Sequence, residues 1–598
     1  MISFGKPKVE QFFKTYNITN FTLTKDETKL LFTSNLNGSM AVWAVDPDRP
    51  FPYLFSDSGQ AASFLKTDPE NRYILAGFDN EGDENYHIYA LPFEGGKAKK
   101  LIGGNEGKGK YFFAFLSEDG ERVYYSTSEG NPQFLNSYVY SIPDASHTLI
   151  HEGEESPNYI TAVSKDERYI IITKMFANTY KVGYIKDTST GEAWALTETP
   201  EEEHEFSDAA FLSASQIVYV TNENSEFSYA VVYDFMKKEP VQTLKLEGES
   251  IEQIKWDEQN RMLYIVSAPG VEDRLYKWDF SENEPVRVDL PVDTIDQFTL
   301  SAEGSLYILG RSSTQPFNIF RQKKGTSWDV VTENRVMGIN EDQMVSPEIV
   351  SYKSFDNKEI ESLWFKAKKE NDNGHVIFWP HGGPQAAERK MFRSMFQSFL
   401  NRGYSVFAPN FRGSTGYGAT FKKLVEQDWG EGPRLDCVEG IEWLFKTGKC
   451  DRDKLFIVGG SYGGYMTLLL AGRHPDYFKA VVDIFGVSNL FTFINSVPDH
   501  WKPIMNRWVG DPEKDKDRLT KDSPITYLSS MTQPMLVIQG ANDPRVVQEE
   551  SDQIVNALRE QGTAVDYLVL EDEGHGFSKK KNEINVYEKI LAFLDKHK

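Results

Sequence analysis

Leu455-Phe456-Ile457-Val458-Gly459-Gly460-Ser461-Tyr462-Gly463-Gly464-Tyr465-Met466-Thr467-Leu468-Leu469-Leu470-Ala471 is the stretch on which the reading of this 598-residue chain turns. Four apolar residues read as a buried strand, the Gly and Ser cluster as a sharp turn, and the run from Tyr465 as a helix. The turn holds Gly459-Gly460-Ser461-Tyr462-Gly463, a G-x-S-x-G pattern in the strand–turn–helix setting that gives it meaning. A serine on such a turn projects its hydroxyl above the sheet edge, and side chains on the flanking glycines would collide with strand or helix. The helix aims its N-terminus at the same point, where negative charge would develop. Ser461 therefore reads as a nucleophile.

A nucleophilic serine needs a base, and the base an orienting acid, in the chain order Ser, Asp, His. Asp543 lies 82 residues beyond Ser461 in Gly540-Ala541-Asn542-Asp543-Pro544-Arg545, and His575 follows 32 residues later in Glu573-Gly574-His575-Gly576-Phe577. Each follows an expected strand, Met535 to Gln539 and Tyr567 to Leu570, at the edge where open α/β sheets place their ligands. The oxyanion would meet two backbone donors. One is the amide of Tyr462. The other belongs to the loop Pro380-His381-Gly382-Gly383-Pro384 after the strand Val376 to Trp379, and is assigned to Gly383. His381 then shapes the loop. No pair among the ten histidines has metal-ligand spacing, so neither metal nor cofactor is expected. Asp436 reads as surface charge.

Outward from this core, strands Tyr404 to Ala408 and Ala480 to Ile484 alternate with helical patterns at Arg393 to Asn401, Gly440 to Thr447, Ser551 to Gln561 and Val586 to His597, the texture of a mainly parallel sheet. Before about Met344 the texture is different. A polar turn followed by an apolar strand recurs seven times, beginning at Thr24, Thr67, Ser117, Ser164, Ser213, Asp257 and Ser301, at intervals of 43 to 50 residues. That interval is what a four-stranded propeller blade consumes. The expected architecture is an N-terminal seven-bladed β-propeller over residues 16–340 and a C-terminal α/β-hydrolase domain over 341–598. Residues 1–15, with Phe4, Phe12 and Phe13, would dock back onto the hydrolase.

Composition removes other classes. The net charge of −24 repels phosphate backbones and anionic membranes, which excludes nucleic acid as a partner. The first residues meet charge before an apolar run can form, and no uninterrupted apolar stretch approaches the roughly 18 residues of a membrane span. Two cysteines, Cys437 and Cys450, fit reduced thiols in a cytoplasmic protein.

Gly459 to Gly464, Asn542-Asp543-Pro544-Arg545-Val546, Glu573 to Phe577, His381-Gly382-Gly383-Pro384 and Asn410-Phe411-Arg412-Gly413-Ser414-Thr415-Gly416-Tyr417-Gly418 together resemble the prolyl oligopeptidase family of serine peptidases, in its acylaminoacyl-peptidase or dipeptidyl-peptidase-like branch. The resemblance implies a peptidase of short peptides whose propeller restricts access to the site, with Arg545 binding a substrate carbonyl. It also leaves room for a homo-oligomer assembled through the hydrolase sheet edge. Gln385 stands where the acylaminoacyl-peptidase branch commonly has a second histidine, so no role rests on that position. Asp83-Glu84 and Glu201-Glu202-Glu203 read as solvated acidic runs, and Phe485, Val487 and Trp501 as candidates for an apolar specificity pocket. The expected activity is peptide-bond hydrolysis through an acyl-enzyme on Ser461. A carboxylesterase of small acyl esters and a non-catalytic propeller scaffold are the alternatives.

Overall fold

The computed structural model describes residues 5–104 and 109–598. Residues 18–330 form seven four-stranded antiparallel sheets, each built from consecutive strands. Each sequence repeat corresponds to the hairpin turn and second strand of one blade: Leu30–Ser34, Tyr73–Phe78, Arg122–Thr127, Tyr169–Ala177, Gln216–Thr221, Met262–Ser267 and Leu306–Arg311. These strands are almost wholly buried because both faces are covered, whereas the outermost strands, such as Ser146–His151, are largely exposed.

Burial explains the ring. The apolar clusters lie between neighbouring blades. Ile74 and Ala76 pack with Leu31 and Val42 of the preceding blade, and Ile217 and Tyr219 with Ile171 and Ile185. The last blade meets the first through Tyr307, Leu309 and Ile319 against Ile18, Phe21 and Phe32. Among the described residues no strand is exchanged there. Gln297 instead bonds both the amide and the carbonyl of Phe21, at 3.0 and 2.9 Å.

The second half is an eight-stranded sheet: β1 Glu348–Lys353, β2 Glu359–Phe365, β3 Val376–Phe378, β4 Ser405–Pro409, β5 Leu455–Gly460, β6 Val481–Ile484, β7 Met535–Gly540 and β8 Val565–Leu570. Its order is β1-β2-β4-β3-β5-β6-β7-β8, antiparallel up to the β2–β4 pair and parallel from there. Helices Gly432–Lys446, Tyr462–Arg473 and Gln548–Glu560 cover one face, and Ser394–Arg402 and Lys580–Lys596 the other. A short helix, Val9–Phe13, joins the second group: Phe12 and Phe13 are buried there, and Phe13 stacks on Tyr587 at 4.8 Å. Phe4 lies outside the described residues. The β1–β2 hairpin has no counterpart in the expected strands, because its outward residues are charged and its apolar period is broken.

One expectation is overturned. Asp436 is completely buried, not surface charge. It accepts from the Arg412 amide and from its Nε and Nη2 at 2.7 to 2.8 Å, and also from the Ser354 hydroxyl. This paired charge pins the loop after β4 to the helix Gly432–Lys446. Removing one partner of a buried pair leaves the other uncompensated, a loss of about 3–5 kcal/mol. Asp436→Ala is expected to lower unfolding free energy by about that amount in urea titration. A change below about 1 kcal/mol would show that the pair does not hold the loop.

Candidate active site

β5 runs into Ser461 at φ 58°, ψ −124°, in the left-handed region of φ that is strained for a residue with a side chain. Two backbone bonds hold the conformation: the Ser461 amide donates to the Ile484 carbonyl, and its carbonyl accepts from the Tyr465 amide, each at 2.9 Å. Glycine is required at 463, where a Cβ would strike the Pro380 carbonyl oxygen, and at 459, where it would strike the Gly463 carbonyl. The elbow is therefore clamped between β5, β6 and the loop after β3.

The structure brings Ser461, His575 and Asp543 together. His575 Nε2 lies 2.9 Å from Ser461 Oγ, and Nδ1 lies 2.6 Å from Asp543 Oδ2. The other oxygen, Asp543 Oδ1, accepts from the amides of Arg545 and Val546 at 2.9 Å each. A carboxylate fixed this way favours the Nδ1–H tautomer, leaving Nε2 to accept from the serine hydroxyl.

Tyr462 opens the helix, and its amide lies directly beyond the nucleophile. Its side chain points away, donating to the Trp429 carbonyl at 2.6 Å. Of the two loop glycines, Gly382 makes the close approach: a Cβ there would lie 3.4 Å from that of Ser461. Gly383 takes the next position, at φ 127°. His381 is buried, stacks on Phe411 at 4.2 Å, donates to the Gly382 carbonyl at 2.7 Å and pairs with Ser414 at 2.8 Å. Burial pushes its imidazole down to about 4, so it stays neutral. The loop Asn410 to Gly418 thus carries the glycine loop, with Asn410 bonding both the amide and the carbonyl of Glu388.

Arg545 is not free. Its Nε donates to Glu84 of the second blade at 2.7 Å, and Asn542 donates to the Glu81 carbonyl at 3.2 Å. Gly82 presses so closely on Gly574 that neither position has room for a side chain. Asp83-Glu84 is therefore not a solvated run, because its loop rests on the loops that carry Asp543 and His575. Glu203 likewise pairs with Lys423 and Arg507. Gln385 accepts from Asn178 of the propeller at 2.8 Å. Between the two halves beside Pro544 lies a cavity of about 800 Å³ lined by Asp83, Glu129, Asp499, Lys110 and His500. Burial pushes His500 down to about 4.

Of the three pocket candidates only Phe485 reaches the site. Its ring lies 4.6 Å from that of His575, with the backbone at φ 42°. Val487 is buried in the core, and Trp501 packs against Trp508. The sequence reading passed over Asp483, which holds this turn: Oδ1 accepts from the Gly486 amide at 3.0 Å, while Oδ2 is buried without a partner. Its signal was a lone acid in the apolar run Val481 to Phe485. Among the described residues no cluster of metal-ligating side chains forms, and no helix is long and apolar enough to cross a membrane.

Residues 390–598 match the family described as prolyl oligopeptidase family. The chain is 26% identical over 592 residues to dipeptidyl aminopeptidase BIII of Pseudoxanthomonas mexicana, covering 94% of this chain and 84% of that protein. It is 38% identical over 225 residues to dipeptidyl peptidase family member 6 of Caenorhabditis elegans, covering 37% and 30%. A puromycin-hydrolyzing peptidase of Mycobacterium tuberculosis shares the fold, with a TM-score of 0.86 and 17% identity over 100% of this chain and 97% of that one.

Burial raises the Asp483 carboxyl to about 7, above its ordinary value of 3.8. The folded protein then holds a proton that the unfolded chain releases, so this group's contribution to stability falls as pH rises from about 4 to about 7. Asp483→Asn removes that loss. The difference in melting temperature between about pH 5 and about pH 8 is expected to narrow in the variant. An unchanged difference would mean that the carboxyl ionises without cost.

Proposed function

We propose that this chain, whose residues 390–598 match the prolyl oligopeptidase family, is a serine peptidase that cuts short peptides through an acyl-enzyme on Ser461, with His575 as the base and Asp543 as its orienting acid. One observation carries the reading: the continuous Oγ–Nε2–Nδ1–Oδ2 chain at 2.9 and 2.6 Å. His575 takes the hydroxyl proton as Oγ attacks the scissile carbonyl, and returns it to the leaving amine. Asp543 stabilises the imidazolium formed between those events. The Tyr462 amide and a donor at Gly383 meet the oxyanion, where removal of one donor typically costs a factor of about 10²–10³. Water then enters and the same steps release the acid.

Within this chemistry we favour a free amino terminus over an acylated one. The cavity beside the site carries Asp83, Glu129 and Asp499 against Lys110, with His500 neutral, a balance that suits an ammonium group. The propeller loop resting on the Asp543 and His575 loops supports a limit on substrate size. Arg545 is assigned to a substrate carbonyl that would displace Glu84. The two buried free thiols fit a cytoplasmic setting.

Ser461→Ala is expected to abolish labelling by a fluorophosphonate and to lower kcat/KM on a dipeptidyl anilide by at least about a thousandfold. N-acetylation of the same anilide is expected to lower kcat/KM by about tenfold or more in the wild type. Equal turnover of both would remove the free-terminus reading. Turnover of simple esters alone would favour the carboxylesterase.

A further inference from the structure

A second cavity, of about 390 Å³, lies between the first and last blades and the hydrolase, away from the acid-lined one. Its charged lining is Arg311, Arg393, Asp296 and Glu583. Arg311 gives only Nη2 to Asp296, at 2.9 Å, and its Nε is buried without a partner. Arg393 gives only Nε to Glu388, at 2.6 Å. Among the described residues the remaining guanidinium nitrogens meet no acceptor. Glu583 is held by Lys580 at 2.7 Å. The helix Ser394–Arg402 starts at this wall with no side-chain cap, which sets the positive end of its dipole beside the cavity. Unused guanidinium donors from two arginines are a fork matched to a carboxylate or a phosphate, and of them Arg311 Nε is the buried one, for which the lack of an acceptor is costly.

A line of rings leads from the cavity to the proposed reaction centre. The Tyr587 that lines it lies 6.1 Å from Phe577, which lies 5.8 Å from Phe485, the ring against His575. On the other side, Arg393 lies 5.9 Å over the ring of Trp379, just before the glycine loop.

We propose that this cavity is an anion subsite that takes the C-terminal carboxylate of the peptide being cut, through Arg311 and Arg393. The inference rests on the peptidase reading above and extends it: acids on one side of the site take the ammonium end, and guanidinium groups on the other take the carboxylate end. Substrate length is then set by the span between two charged termini.

The test uses the full-length wild-type enzyme and Arg311→Gln, whose former partner Asp296 stays partly exposed. Arg393 is left in place because Glu388 beneath it is wholly buried. Tri- to hexapeptides are compared with their C-terminal amides. At the best length the wild type is expected to prefer the free acid by about tenfold to a hundredfold in kcat/KM, the range for charge-assisted hydrogen bonds. In Arg311→Gln that ratio is expected to collapse toward one, with circular dichroism and melting temperature checking the fold. Equal rates for acids and amides at every length in the wild type would overturn the proposal, whatever the variant does. If inorganic phosphate raised the melting temperature of the wild type but not the variant while acid and amide were cut equally, the cavity would hold a free anion and the peptide-carboxylate assignment would fall. A wild type that cuts none of these peptides, acid or amide, while turning over simple esters would instead sink the peptidase reading, so the two failures are distinguishable.

Discussion

The left-handed backbone at Ser461 is the constraint around which the second half of the molecule is arranged. A residue with a side chain holds φ 58° only where its surroundings over-determine it. Here they do so from three directions: the Ile484 carbonyl of β6, the first turn of the following helix, and the loop after β3 that presses on Gly463. Relaxing any of them would swing the hydroxyl away from the imidazole. The apolar packing on both faces of the sheet thus reaches the proposed chemistry through backbone geometry, and the fully buried Arg412–Asp436 pair secures the loop that supports the glycine turn.

The propeller meets the hydrolase with a consistent polarity. Among the described residues, the ion pairs bridging the two halves all take the acid from the propeller and the cation from the hydrolase: Asp273 with Arg389, Glu272 with Lys390, Glu205 with Lys422, Glu203 with Lys423 and Arg507, Glu84 with Arg545, and Glu81 with Lys579. The more exposed of these pairs, such as Glu203 with Lys423, add little stability one by one, whereas Asp273 and Glu205 are buried beside their cations. Together they fix how one charged surface sits on the other, and opposite signs disfavour wrong dockings. The overall charge of −24 conceals this arrangement, because it sums over a surface whose two halves carry different local fields.

Regular spacing made much of this legible. The seven turn-and-strand repeats could be counted because each second strand is covered on both faces and carries an apolar run at its centre. The serine elbow could be read because its glycines answer local steric demands. Asp436 and Glu84 could not. Each is one acid among 89, and its meaning lies in an arginine far off in the chain, 24 residues away for Arg412 and 461 for Arg545. Asp483 was obscured for a different reason: one polar residue does not disturb the apolar period of a strand, so the pattern that revealed β6 also hid its exception.

By itself, the sequence determined the two-part architecture, the order of the serine, acid and histidine, and the glycine loop, since periodicity and local sterics act between neighbours along the chain. Only the tertiary structure decided which acids face the site, that Phe485 rather than Trp501 lies against the imidazole, and where guanidinium groups are left without acceptors. Those outcomes depend on distances between residues far apart in the chain, and charge and hydrogen bonding act through space.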